Sequence, residues 1–283
     1  MSSTAANVSC SVPLSQFSGT VALIGAGKMG GALIEGWIGL GLDPARIAAI
    51  EPEPAPAIAA LAGRGLKLNP DPQSLRPDAI VLAVKPQTAP EIVARIAALT
   101  VPTSVVVSIM AGRTLAFLGR ALPPTAAIVR AMPNTPAAIG RGITVAVPNA
   151  RVTPAQRGLA HSLLAATGAV EWIADEGLMD AVTAVSGSGP AYVFLLAESL
   201  ALAGVAAGLP ADLAARLARA TVAGAGELLH RSPLDASQLR QNVTSPGGTT
   251  AAALDVLMAA EGMDQLLKRA VAAATRRSVE LAG

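Results

Sequence analysis

Two glycine-bearing stretches are places where the backbone itself could do chemistry. The first is Gly25-Ala26-Gly27-Lys28-Met29-Gly30, which follows the apolar run TVALI and opens the stretch GALIEGWIGL. A G-x-G-x-x-G between a strand and a helix suits a pyrophosphate. Gly25 permits the tight turn, Gly27 lets the backbone approach the anion, and Gly30 lets helix and strand pack closely. Lys28 and Met29 fill the remaining positions, beside the free N–H groups and positive dipole end of the helix. Glycine turns between strand and helix are common. Here, however, the strand and the helix that a dinucleotide site requires are both present. The second stretch is Ser245-Pro246-Gly247-Gly248-Thr249-Thr250, ahead of the apolar repeat AAALDVLMAA. It reads either as a turn with a threonine N-cap or as a preformed cradle for a small anion at a helix start.

A third candidate is Glu51, about 20 residues past the glycines, where an acid binds a ribose 2′-hydroxyl. The neighbourhood EPEPAPA has no Lys or Arg to hold a 2′-phosphate, and Arg46 opens the strand at its other end. On these residues alone Glu51 leans toward NADH over NADPH, unless it is a solvated loop acid beside Glu53. Other chemistries lack their parts. His161 and His230, the two histidines, sit in no motif, and no paired carboxylate, histidine cluster or nucleophile elbow appears. Hydrolase and metalloenzyme readings therefore have nothing to rest on.

The elements that must position these residues fall into two halves. From Thr20 to about Val170 short apolar runs alternate with helical stretches: TVALI, RIAAI, AIVLAV, SVVVSI, AIVR and GITVAV. Strands apolar throughout and separated by helices indicate a parallel sheet covered on both faces. After Val170 the strand signal stops and long Ala-rich helices follow. The expected fold is therefore α/β: a Rossmann-type parallel-sheet domain over 19–173, then an all-α dimerisation and substrate-binding domain over 174–283. The Ser-rich residues 1–18 lack the basic start and apolar run of a signal peptide and read as a disordered tail.

Composition narrows the partners. The chain has 283 residues, 52% hydrophobic and 14% charged, with a net charge of +2 and scattered Lys and Arg. Only one Tyr, three Phe and two Trp are available for stacking, which argues against nucleic acid. Cys10 is the only cysteine, so no internal disulfide can form and a cytoplasmic location is expected. The stretch AYVFLLAESLALAGVAAGL is long enough for a membrane span, but Glu198 lies near its centre and alanine is as common as leucine. It reads as a helix buried in a soluble homodimer rather than in a membrane.

Six segments, in order, together resemble the pyrroline-5-carboxylate reductase family: VALIGAGKMGGALIEGW, AVKP, VVSIMAG, RAMPNTPA, VSGSGPAYVF and SPGGTT with its helix. The resemblance covers nearly the whole chain from about residue 19. It implies reduction of the cyclic imine 1-pyrroline-5-carboxylate to L-proline with NADPH or NADH, the last step of proline biosynthesis. It also implies a homodimer, which members of that family often assemble further into a decamer, a pentamer of dimers. On the family pattern Ala83, Lys85, Pro86, Ala111 and Asn134 lie along the cofactor, with Asn134 near the nicotinamide end, and SPGGTT binds substrate. Ser245, Gly248 and Thr249 then contact the carboxylate, while the Thr250 hydroxyl faces the ring nitrogen as a positioning group or proton relay. Lys85 could equally be a solvated strand-end lysine. Glu51 departs from the Ser- or Thr-containing turn the family often carries there, and Lys28 stands where Asn is frequent. Two other readings remain. A β-hydroxyacid dehydrogenase would need a lysine on a helix of the second domain, and Asp180–Leu209 contains none. A non-catalytic dinucleotide-binding regulator would have no use for the SPGGTT cradle.

Overall fold

The computed structural model describes residues 12–282, so residues 1–11 of the expected tail lie outside the described residues. The chain divides into two compact units. One holds the described residues up to Gly187 together with the stretch from Arg276 on, and the other is Ser188–Thr275.

In the first unit the apolar runs form β1 (Val21–Ile24), β2 (Ile47–Ile50), β4 (Ala79–Leu82), β5 (Val105–Ser108), β6 (Ala127–Met132) and β7 (Gly142–Pro148). Two further strands, β3 (Lys67–Leu68) and β8 (Gly168–Trp172), have too little apolar pattern to be expected. The described strands make one sheet in the order β3-β2-β1-β4-β5-β6-β7-β8. Pairing is parallel from β3 through β6, the doubly wound arrangement of dinucleotide-binding folds. The expectation of a wholly parallel sheet is corrected at β7, which runs antiparallel to β6 and carries β8 parallel to itself. The β6–β7 connection is built on the 3₁₀ turn Thr135–Ile139. It is shorter than the roughly dozen residues that a parallel crossover needs.

The helices of this unit are α1 (Lys28–Gly39), α2 (Pro56–Ala60), α3 (Ala89–Ile96), α4 (Leu115–Ala121), α5 (Pro154–Ala165) and the single turn α6 (Met179–Val182). Strand side chains alternate between the two faces of the sheet. Val21, Leu23 and Val81 pack with Leu33, Ile34 and Trp37 of α1 and Leu163 of α5. Ile24, Ile80 and Leu82 pack with Val93 and Ile96 of α3 and Leu118 of α4. The Trp37 indole N–H donates to the Leu163 carbonyl at 2.8 Å and locks α1 to α5.

Residues 12–18 are not a loose tail: a 3₁₀ turn spans Leu14–Gln16, Leu14 is buried in the core, and Arg46 Nη1 donates to the Ser18 carbonyl. One apolar side chain with a seat is enough to tie down a serine-rich terminus. Residues 174–187, at the start of the expected helical domain, belong to the first unit by their contacts. Arg130 pairs with Glu176, Asp180 accepts from Ser278 at 2.6 Å, and Met179 and Ala184 are buried. Together these hold the segment up to Gly187 against the sheet unit.

The second unit contains α7 (Gly189–Ala206), α8 (Ala211–Arg231), α9 (Ala236–Asn242), α10 (Thr249–Leu257) and most of α11 (Met263–Ala282). Gly204 lets α7 approach α8, since a Cβ there would stand 3.2 Å from the Ala214 Cβ. Within the single chain α7 buries none of its residues, and Val193, Phe194, Leu195 and Leu202 are exposed. The helical stretch Glu176–Ala206 is long and apolar enough to cross a membrane by length and composition. A helix apolar all round needs burial against something.

Candidate active site

Parallel pairing brings the ends of β1, β2, β4, β5 and β6 to one edge of the sheet. Gly25, Gly27, Glu51, Ala83, Lys85, Ala111 and Asn134 stand in loops at that carboxyl edge, Pro86 in a 3₁₀ turn there, and Lys28, Met29 and Gly30 in the first turn of α1, where open α/β sheets take their ligands. Gly25 leaves β1 at φ +92, and a Cβ on it would lie 2.7 Å from the Ala83 carbonyl oxygen. Only glycine meets both conditions. Its N–H donates to Ile50 at 2.9 Å. Gly27 precedes α1 with open space where a Cβ would be, and no side chain caps the first turn of the helix. Gly30 is buried, and a Cβ there would overlap the Gly25 carbonyl oxygen. Lys28 is exposed and Met29 half-buried against the core. Uncapped N–H groups in a glycine-cleared space are what a pyrophosphate requires. Beside them lies a cleft of about 340 Å³ between Ala26, Gly27, Lys28 and Gly31 on one side and Glu53, Ala55 and Ile58 on the other. That volume lies in the range of small-molecule sites.

Glu51 follows β2 directly, and its carboxylate turns back to the glycine loop. Oε2 accepts the Ala26 N–H at 2.8 Å and Oε1 accepts the Glu53 N–H at 3.3 Å. Arg46 stands at the opposite end of β2, in the 3₁₀ turn Pro44–Arg46. Lys85 is exposed just before the 3₁₀ turn Pro86–Thr88. The Pro86 carbonyl accepts from Arg113 Nε at 3.0 Å and Nη2 at 2.7 Å, so the loops after β4 and β5 are tied together. Arg113 also lies over the Phe117 ring at 4.8 Å. Ala111 is exposed in the loop after β5. Asn134, after β6, has both ends of its amide engaged: Oδ1 accepts the Ile143 N–H at 3.0 Å and Nδ2 donates to Ser186 Oγ at 3.3 Å. Ser186 belongs to a π-helical turn, Thr183–Gly187, so the MPNTP and VSGSGP segments meet. Single π-turns recur at functional sites.

Ser245, Gly248, Thr249 and Thr250 lie in the second unit. Gly248 N–H donates to the Ser245 carbonyl at 3.0 Å, with Gly247 at φ +68 inside the turn. The residue capping α10 is Gly248 rather than a threonine, and no side chain caps the helix. Thr249 and Thr250 occupy its first two positions, exposed and half-buried. Neighbouring Thr244 is spent otherwise, its hydroxyl donating to the Arg240 carbonyl at 2.7 Å to close α9. A glycine cap leaves the first N–H groups of α10 without side-chain partners, as a carboxylate cradle requires and an ordinary threonine cap would not.

The two histidines lie on helices rather than in these loops. His161 on α5 accepts the Trp172 indole N–H at 3.3 Å through Nδ1, and Arg157 lies over the Trp172 ring at 4.6 Å. Burial, with Arg157 nearby, lowers its pKa below the ordinary 6.5. His230 is in the last turn of α8.

Three features escaped the sequence reading. The buried Arg130–Glu176 pair was signalled by an arginine ending the apolar run AIVR, since a buried arginine demands an acid. Asn69, bonded to the Glu51 backbone, was signalled by the turn pair Asn69-Pro70. No local signal points to the contact between Ser186 and Asn134, 52 residues apart.

A family model for pyrroline-5-carboxylate reductase dimerisation matches residues 176–281, and one for coenzyme F420-dependent NADP oxidoreductases matches residues 20–112. The chain is 40% identical over 266 residues to a pyrroline-5-carboxylate reductase of Pseudomonas aeruginosa, covering 93% of this chain and 96% of that one. Its fold is similar to a pyrroline-5-carboxylate reductase structure from Coxiella burnetii (TM-score 0.87, 34% identity, 94% and 99% of the two chains). It is also similar to a Plasmodium falciparum pyrroline carboxylate reductase with NADP bound (TM-score 0.78, 29% identity, 94% and 99%).

Proposed function

The chain belongs to the pyrroline-5-carboxylate reductase family, and from that premise we propose how its residues reduce 1-pyrroline-5-carboxylate to L-proline. The observation that carries the proposal is a pair of anion-ready helix starts, α1 and α10, each preceded by a glycine cap with no capping side chain. A nicotinamide dinucleotide, when bound, supplies the hydride. Gly25, Gly27, Lys28, Met29 and Gly30 hold its pyrophosphate. Glu51 faces the adenosine ribose, and Ala83, Lys85, Pro86, Ala111 and Asn134 line its course toward the nicotinamide. With both amide ends engaged, Asn134 is held in one orientation.

Reduction of a C=N bond asks the protein to align the reactants, exclude water and favour a protonated nitrogen. Backbone N–H groups at the start of α10, with Ser245, Gly248 and Thr249, bind the substrate carboxylate. The Thr250 hydroxyl hydrogen-bonds the ring nitrogen. Its high pKa makes it a positioning group or relay for a solvent proton rather than an acid in its own right. The cofactor preference is for NADH: the acid at Glu51 would repel a 2′-phosphate, and Arg46 is committed at the far end of β2. The chain works as a cytoplasmic homodimer that covers α7, with a pentamer of such dimers as its larger assembly.

Thr250→Ala tests the substrate side. It should lower turnover of pyrroline-5-carboxylate while leaving the calorimetric Kd for the cofactor near wild type, and unchanged turnover would remove Thr250 from the chemistry. Parallel assays with NADH and NADPH test the preference.

A further inference from the structure

The residue that reads the ribose is itself held in place by a side chain outside the nucleotide motif. At Glu51 the sheet has run out: β2 ends at Ile50, and its edge neighbour β3 is only two residues long. The last rung is the Asn69 N–H, which donates to the Ala49 carbonyl at 2.8 Å. Asn69 then turns into the left-handed region at φ +48, the one non-glycine among the described residues with positive φ. That turn swings its amide back along β2. Oδ1 accepts the Glu51 N–H at 2.9 Å, and Nδ2 donates to the Glu51 carbonyl at 2.9 Å. One side chain thereby replaces the missing rung and satisfies both backbone groups of Glu51. Asparagine combines what this needs: a donor and an acceptor on one short planar group, and tolerance of left-handed backbone. With its backbone clamped, Glu51 aims its carboxylate at the Ala26 N–H, inside the glycine loop.

We propose that Asn69 is a positioning residue for cofactor choice, holding the Glu51 backbone so that the carboxylate stays where the ribose 2′-position would lie. The proposal rests on the assignment of Glu51 as the ribose-facing acid. A fixed carboxylate discriminates twice, by accepting from a 2′-hydroxyl and by repelling a 2′-phosphate. A carboxylate on an unclamped backbone can swing away from either, so both effects weaken together. A residue that merely supports the fold would change the two affinities alike.

The test is a calorimetric cycle on the full-length protein. The Kd of NADH and of NADPH is measured for wild type, Asn69→Gly, Glu51→Ser and the double variant. Glycine keeps the left-handed backbone open at no steric cost while deleting the clamp, and a thermal melt of each variant reports that it is folded. Losing two exposed hydrogen bonds should lower the ratio Kd(NADPH)/Kd(NADH) by about tenfold in Asn69→Gly. If Asn69 acts through Glu51, the same change made on Glu51→Ser should leave the ratio where it was. Should Glu51→Ser collapse the ratio while Asn69→Gly leaves it intact, the positioning role is overturned and the role of Glu51 stands. An equal fall in both backgrounds overturns it as well, because Asn69 would then act independently of the carboxylate. A ratio indifferent to Glu51→Ser removes the premise, and the proposal with it.

Discussion

Glu176→Ala isolates the contact that binds the start of the helical region to the sheet. The Arg130 side chain is 5% exposed and Glu176 27%, and Nη1 meets Oε1 at 2.8 Å. The same oxygen accepts the Leu115 N–H, the first of α4, at 2.8 Å. Removing the carboxylate strands a buried guanidinium and an orphan helix N–H in one step. Breaking a buried pair from one side costs about 3–5 kcal/mol. The partial exposure of Glu176 lets water reach the stranded charge and pulls the figure toward about 2–4 kcal/mol. Urea unfolding followed through the fluorescence of Trp37 and Trp172, both in the first unit, reads that unit directly, at one fixed protein concentration because the chain matches a dimerisation domain. Arg130→Met combined with Glu176→Leu removes the charge together with its partner and should recover most of the loss. A Glu176→Ala cost under about 1 kcal/mol, or a double variant no better than the single one, would refute the stranded-charge reasoning.

Three further outcomes are expected. Gly30→Ala forces a Cβ onto the Gly25 carbonyl, so it should weaken cofactor binding by more than about tenfold in calorimetry; near wild-type affinity would show that the loop can yield. His161 is lowered below 6.5, so the unfolded chain binds its proton first: stability should begin to fall as pH drops below 6.5, with the loss complete below the native value. His161→Phe should flatten that part of the stability–pH curve, and an unchanged slope would place the dependence elsewhere. Light scattering should report a dimer or larger, and mutating Phe194 and Leu202 of α7 to Asp should shift it to monomer.

The parts legible in the sequence were those whose physics is local. Gly25, Gly27 and Gly30 announce themselves because a left-handed turn, an approaching anion and a close helix–strand contact each exclude a side chain. The runs that became β1, β4 and β5 are apolar throughout because both faces are covered. What was hidden depends on distant partners. Two-residue β3 has no periodicity to read, and the reversal at β7 follows from the length of a connection rather than from its composition. The helical pattern begins at Ala174, close to where the dimerisation family model starts, whereas the contacts that join residues 174–187 to the first unit come from Arg130, Asn134 and Ser278, each far away along the chain. At SPGGTT the residue types pointed to a turn, and the structure sharpened this by showing glycine at the cap and Thr244 engaged with α9.

Helix α7 gives the two units different relations to concentration. The sheet unit buries its own core, so its folding is a property of one chain. A helix none of whose own residues is buried within its chain, in a segment matching a dimerisation domain, gains that burial from a partner copy and so by mass action. Dilution should therefore separate them: the helices lose order in a range set by the amount of protein present, while the nucleotide-binding half persists. Below the dissociation constant of the pair, the amount of paired chain then rises with a power of the total greater than one, whereas above it the two rise together.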